Sequence, residues 1–201
     1  MGINLQKGQR ISLKKEAPSL SRLMCGLGWD VLDRSRGLGG AFQADFDLDA
    51  SVLCLDENDK LKGNSNVVYF GNLRHQSGAI THLGDNLTGE GEGDDEQILV
   101  DLPDVPAEIS KLLFVVNIYE AVKRKQDFSQ VENAFVRLVD LSNNQEIARY
   151  TLSGNDYQGK TSMLLAEVYR HNDEWKMAAV GNGSELNGLQ EVVNYYLGVA
   201  Q

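Results

Sequence analysis

ADFDLDAS, residues 44–51, alternates small or apolar side chains with acidic ones almost to its end. At a period of two, Phe46, Leu48 and Ala50 share one face while Asp45, Asp47 and Asp49 share the other, as in a β-strand with one face on a core. The same letters begin like an EF-hand calcium loop. Ala50, however, stands where that loop needs its glycine, and Asp56 where it needs a bidentate glutamate. The segment is therefore expected to be a strand, and that sets the fold class.

On either side the chain continues as short apolar runs punctuated by Gly, Asn and Asp. INLQ, RISL and LSRLMCGLGW precede it; NVVYF, GAITHLG, EQILVDL, KLLFVVNIY, NAFVRLVDL, EIARYTLS, SMLLAEVYR and EWKMAAVG follow. Asn143-Asn144 and His171-Asn172-Asp173 read as hairpin turns between such runs. Pro103 and Pro106 mark a crossover or a short helical turn. Near the end, Leu186, Leu189, Val193 and Tyr196 recur at helical spacing, which predicts one amphipathic helix packed on a sheet. Many short strands with regular turns predict a mainly β fold, a two-sheet β-sandwich with a C-terminal amphipathic helix. Neither a linker nor a composition break divides the chain, so residues 1–201 are expected to form one domain.

The net charge is −10, from 29 acidic and 19 basic residues, and no basic stripe with interleaved aromatics offsets it. Nucleic-acid binding is disfavoured. MGINLQKGQRISLKKEA has no apolar core of a secretory signal, and Gln6 stands where a myristoylation motif needs Ser or Thr. LLFVV, among the longest apolar runs, is far too short to span a bilayer. The basic patches KGQRISLKK and AVKRKQ are expected to be solvated faces or edge-strand guards, and they leave room for peripheral association with a membrane surface. Cys25 and Cys54 each lie within an apolar strand, as small buried hydrophobes in a reducing, cytoplasmic compartment.

GDNLTGEGEGDDE, residues 84–96, crowds six carboxylates and four glycines into thirteen positions without a base. Two carboxylates about 4 Å apart repel by about 4 kcal/mol at an effective dielectric near 20. A chain escapes that cost by staying disordered, by protonating or by binding a cation. With the aspartates of 45–49 and with Asp30 of GLGWD, these acids form three motifs that each flank a strand, so all three are expected at one rim of the sandwich. No Cys or His lies within them, which disfavours zinc and softer metals. Hard oxygen donors remain: the carboxylates, the Asn86 amide, the Thr88 hydroxyl and carbonyls freed by Gly89, Gly91 and Gly93. Calcium accepts such oxygens at irregular geometry better than magnesium does, and the number of acids suits two ions. A solvated acidic loop is the plain alternative.

GLGWD, FDLDAS and GDNLTGEGEGDDEQI resemble the signature of the TerD family of tellurium-resistance and general stress proteins. The resemblance continues through FVVNIYEAVKRKQDFSQVENAFVRLVD, EIARYTLS and AEVYRHNDEWKMAAVGNG, so it covers nearly the whole chain. It implies a calcium-binding β-sandwich without known catalytic activity, acting in responses to tellurite and other insults beside other stress-response proteins as partners. The family's metal-binding acids fall here on Asp30, Asp45, Asp47, Asp49, Asp85, Asp94, Asp95 and Glu96, with Glu90 and Glu92 in the same matched motif. VLDRSRGLGGAFQ at 31–43 departs from that pattern by being longer and more basic.

One rival remains. GNDYQGKT, residues 154–161, fits the phosphate-loop pattern G-x-x-x-x-G-K-[ST] after an apolar strand, with Lys160 and Thr161 in the phosphate and magnesium positions. VLCLDE, ending near Asp56, even resembles the strand that holds the metal in such enzymes. Against it, Asp156 opposes a triphosphate, Tyr157 crowds a backbone cradle, and SMLLAEVYRHNDEWKMAAV reads as a hairpin where a helix is required. No metalloprotease or nucleophile-elbow motif occurs, and His75, His82 and His171 are expected at the surface or in turns.

Overall fold

Alternation of apolar and polar positions produces strands along most of this chain, and their pairing is antiparallel with one exception. The computed structural model describes residues 2–31, 47–84, 93–152 and 157–199, without the side chains of Asp30, Val31 and Glu132. The elements in chain order are β1 (Ile3–Leu5), β2 (Arg10–Ser12), α1 (Leu13–Glu16), β3 (Arg22–Val31), β4 (Leu48–Leu55), β5 (Val67–Val68), β6 (Ile80–His82) and β7 (Glu96–Asp101). There follow β8 (Lys111–Ile118), α2 (Ala121–Arg124), β9 (Val131–Asp140), β10 (Gln145–Thr151), β11 (Ser162–His171), β12 (Glu174–Ser184) and α3 (Gly188–Leu197). One sheet has the order β1-β10-β9-β3-β7-β6 and the other β2-β12-β11-β8-β4-β5. Among the described strands, only the short β1 runs parallel to its neighbour, β10.

The expected turns are present. Asn172 and Asp173 both take left-handed φ, 51° and 59°, between the paired residues His171 and Glu174. A two-residue turn of that hand matches the twist of the strands it joins. Asn144, at φ 57°, closes the turn from β9 to β10, where the Asp140 carboxylate accepts from the Ser142 amide at 2.8 Å. Pro103 lies in a single 3-10 turn, Leu102–Asp104, after β7.

The two sheets enclose one core. Leu23, Cys25, Leu27 and Trp29 of β3 face Leu48, Ala50, Val52 and Cys54 of β4, with Phe114 and Leu138 among the side chains between them. A second apolar layer covers the outside of the β2–β5 sheet. There Leu53, Leu55, Leu113 and Val115 pack against Val192 and Val193 of α3, with Leu189 and Tyr196 beside them. The helix stops at Gly198, whose φ of 71° lets its amide and that of Val199 cap the last turn. Because α3 lies on that outer face, every residue of β4 is buried, including Asp49 on the face turned away from the core.

Candidate functional site

The described ends of three acidic motifs meet at one rim. β3 runs antiparallel to β7, so the end of GLGWD lies beside the start of EQILVD, with Leu27 opposite Glu96. On the facing sheet, DLDAS opens β4 at the same end, because the Glu96 carboxylate crosses the sandwich to accept from the Ala50 amide at 2.7 Å. That amide lies just before β4 pairs with the short β5, whose last residue, Val68, lies opposite Val52. Glu96 thus fills a backbone position that β5 does not reach, and a carboxylate acceptor there contributes about 1.5–3 kcal/mol. His82 completes the arrangement. Its Nδ1 accepts from the Gly84 amide at 3.1 Å, which places the ring proton on Nε2, 3.4 Å from Glu96 Oε2. This is an electrostatic contact and not an aligned hydrogen bond.

Three consecutive acids at the end of the glycine-spaced stretch go in three directions. Asp94 turns to the outer face of its sheet, where Arg137 Nε and Nη2 donate to its two oxygens at 2.7 and 2.9 Å. Its side chain is fully buried, lying flat over Gly26, and a Cβ on that residue would overlap the carboxylate. The Asp94 carboxylate raises the Arg137 pKa, and with burial it raises that of Cys25. Asp95 accepts from the Trp29 amide at 2.9 Å, while its own amide donates to the Leu27 carbonyl at 2.8 Å. Those two bonds hold the chain across the bulge of β3 between Gly28 and Asp30. Glu96 points inward, as described.

On the opposite sheet, Asp47 and Asp49 face α2 and α3. The Tyr119 amide donates to the Asp47 carbonyl at 2.8 Å, and Arg124 Nη1 lies 3.8 Å from its carboxylate. Asn117 Nδ2 donates to Asp49 Oδ2 at 3.2 Å. Beside them opens a cavity of about 930 Å³ whose floor includes Asp49 and Asn117.

Of the expected ligands, Asp47, Asp49, Asp94, Asp95 and Glu96 are therefore placed at or near the rim. The Asp30 backbone pairs with Glu132 there, while its side chain lies outside the described residues. Asp45, Asp85, Asn86, Thr88, Glu90, Gly91 and Glu92 also lie outside them, as do residues 32–43 of the departing segment. Among the described residues, no three His, Cys, Asp or Glu side chains are grouped to hold an ion by themselves. The oxygen-only donor set of Asp47 and Asp49 fits a hard cation as one wall of a site.

Several expectations are corrected. His75 and His82 are buried rather than at the surface; His75 sits between Ser77 Oγ at 2.8 Å and Asn66 Oδ1 at 3.0 Å. Period-two alternation in AITH already puts His82 on the same face as the core residue Ile80. AVKRKQ is not simply solvated, because Arg124 reaches Asp47 and stacks over the Tyr119 ring at 5.1 Å. The phosphate-loop match lacks its structural context. Thr161 is followed at once by β11, a strand, and Thr161 Oγ1 donates to the Leu186 carbonyl at 3.0 Å. Lys160 Nζ is held by Glu185 at 2.8 Å. A strand, and not the helix N-terminus that a phosphate loop needs, thus follows the matched residues. Asn117 and Arg137 went unforeseen, since alternation gives the face on which a polar strand residue lies but cannot name its partner.

The sequence profile of the TerD domain matches residues 1–196. The chain is 51% identical to the stress response protein SCP2 of Bacillus subtilis (strain 168), over 98% of this chain and 100% of that one. It is 46% identical to the tellurium resistance protein TerD of Serratia marcescens, over 98% and 97% respectively. A crystal structure of a homologue of telluride resistance protein (TerD) from Streptomyces coelicolor A3(2) superposes with a TM-score of 0.62 at 20% identity, covering 84% of this chain and 93% of that one. At that identity the last match bears on the fold alone.

Proposed function

This chain belongs to the TerD domain family, and on that premise we propose that it is a non-catalytic stress-response protein of the tellurium-resistance type, ordered by calcium. The observation that carries this is the Glu96–Ala50 bond, which fastens the end of the acidic, glycine-spaced segment to the aspartate strand of the other sheet. Asp94, Asp95 and Glu96 act as the fastening. Asp47 and Asp49 would form the rigid wall of the cation site. Asp30, Asp45 and the donors of 85–92 (Asp85, Asn86, Thr88, Glu90, Glu92 and the Gly91 carbonyl) would complete it, with room for two ions. Calcium would supply the positive charge that offsets repulsion among these carboxylates. The ordered segment would then be the surface that other stress-response proteins bind in the cytoplasm. Names of relatives support the stress and tellurium role. Two unbridged buried cysteines agree with a reducing compartment, and among the described residues no helix is long and apolar enough to cross a membrane.

Calorimetry on chelator-treated protein, with calcium and with magnesium, tests the site. Calcium at 100 times its dissociation constant stabilises the fold by about 2.7 kcal/mol, visible as a higher melting temperature and as slower amide exchange in 85–92. Should millimolar calcium change neither, the site does not exist. Affinity capture of partners with and without calcium then tests the surface.

A further inference from the structure

The cavity between the first turn of α3, the segment around Tyr69 and the corner from β8 to α2 has the volume of a small-molecule site, about 930 Å³. Its lining is divided. Tyr69, Phe70, Tyr119, Val122, Leu189 and Val193 make apolar, largely aromatic walls, and at the floor stand Asp49 and Asn117. Phe70, Tyr119 and Val122 are 45%, 43% and 67% exposed at its mouth, which is unusual for large apolar side chains grouped together.

Asn117 indicates what the cavity takes. It is only 3% exposed, and among the described residues its Oδ1 has no hydrogen-bond partner, whereas Nδ2 is fixed by Asp49 Oδ2 at 3.2 Å. The opposite amide orientation would set two acceptors against each other, so the carbonyl oxygen is the end left over. A buried acceptor without a donor is unfavourable, and native structures seldom keep one without a ligand or water to meet it. The floor therefore offers a carboxylate and a carbonyl oxygen, both acceptors. The lining cation Lys123 is already bound to both Glu120 oxygens at 2.9 Å.

We propose that this cavity binds an amphipathic organic amine, its ammonium group on Asn117 Oδ1 and Asp49 and its apolar body against Tyr69, Phe70, Tyr119 and Val193. An ammonium brings three donors and a charge that suits both the floor and the faces of the aromatic rings. The proposal does not rest on the calcium site, since Asn117 and the walls belong to none of the acidic motifs; Asp49 alone is common to both.

The full chain is titrated by calorimetry with phenethylammonium, and with phenethyl alcohol and phenylpropanoate as controls of the same shape, in chelator and again in saturating calcium. One molecule of the amine binds per chain in chelator, about tenfold or more tighter than either control, as expected for a charge-assisted bond. Asn117→Leu removes that preference. Val122→Trp, at an exposed position that tolerates bulk, closes the mouth and weakens every probe that enters. Equal binding of amine and alcohol overturns the proposal, as does no binding of the amine, or amine binding unchanged in both variants. Failure of the calcium site would leave the chelator titrations intact, and failure of the amine site would leave calcium binding intact.

Discussion

Replacing Asp94 by Asn separates a fastening carboxylate from a metal ligand. The substitution keeps the size of the side chain but removes the charge held by Arg137 through bonds of 2.7 and 2.9 Å. It also turns one end of the group into a donor facing the guanidinium donors. Breaking a buried ion pair by removing one partner costs about 3–5 kcal/mol. Arg137 is 27% exposed and has Glu146 at 3.4 Å, so water and that second carboxylate recover part of the loss. About 2–3 kcal/mol is expected, which lowers the melting temperature of a chain this long by about 4–12 °C. The assay is urea and thermal unfolding of both proteins, in chelator and in calcium. A fastening role predicts the same loss in both. Arg137→Gln should lose a similar amount, and the double variant less than the sum of the two, with a coupling of about 1–3 kcal/mol. A loss that appears only in calcium would make Asp94 a ligand, and no loss at all would refute the ion-pair account.

Three other outcomes follow from single side chains. Cys54, whose pKa burial pushes up to about 12, and Cys25, raised by burial and then by Asp94, should both resist a disulfide-exchange reagent in the native protein and react fully in denaturant. Burial holds His75 below the ordinary histidine value, so its contribution is complete above about pH 6.5 and is lost as pH falls through the lowered value. Urea midpoints between pH 7.5 and 5 should therefore decline more steeply for the native chain than for His75→Gln, and parallel slopes would remove His75 as the cause. Gly181→Ala should cost about 1–3 kcal/mol in urea unfolding, because its φ of 60° is left-handed and its new Cβ would overlap the Tyr150 hydroxyl; an unchanged midpoint would show that Tyr150 moves aside freely.

Alternation placed the strands because every strand of a sandwich must bury one face, and that requirement is written locally. Leu48, Ala50, Val52 and Cys54 entered the core as their spacing required. The same rule failed for the other face of β4. Whether that face meets water depends on α3, which is more than a hundred residues away in sequence and covers it with Val192 and Val193. Asp49 was thus expected at a rim, on the face away from the core, and lies buried against Asn117. The histidines show the complementary failure. Composition suggested turns, yet one alternation, AITH, already carried the inward direction of His82.

The acidic segment was legible as a cluster but not as a set of roles. Asp94, Asp95 and Glu96 are identical to a sequence reader in charge and nearly so in size. Successive residues at a strand entry point to different sides, so one reaches Arg137, the next the Trp29 amide, and the third the Ala50 amide across the core. Each thereby gains donors that offset its charge without an ion. The repulsion inferred from crowding along the sequence is thus relieved by geometry at this end of the segment. In the proposed calcium site the ion is held by Asp85, Glu90 and the other donors of 85–92, and not by the three acids that already have donors. Charge-neutral substitutions at Asp85 and Glu90 should therefore abolish the calcium-dependent rise in melting temperature, while those at Asp94 and Glu96 lower the melting temperature with or without the ion.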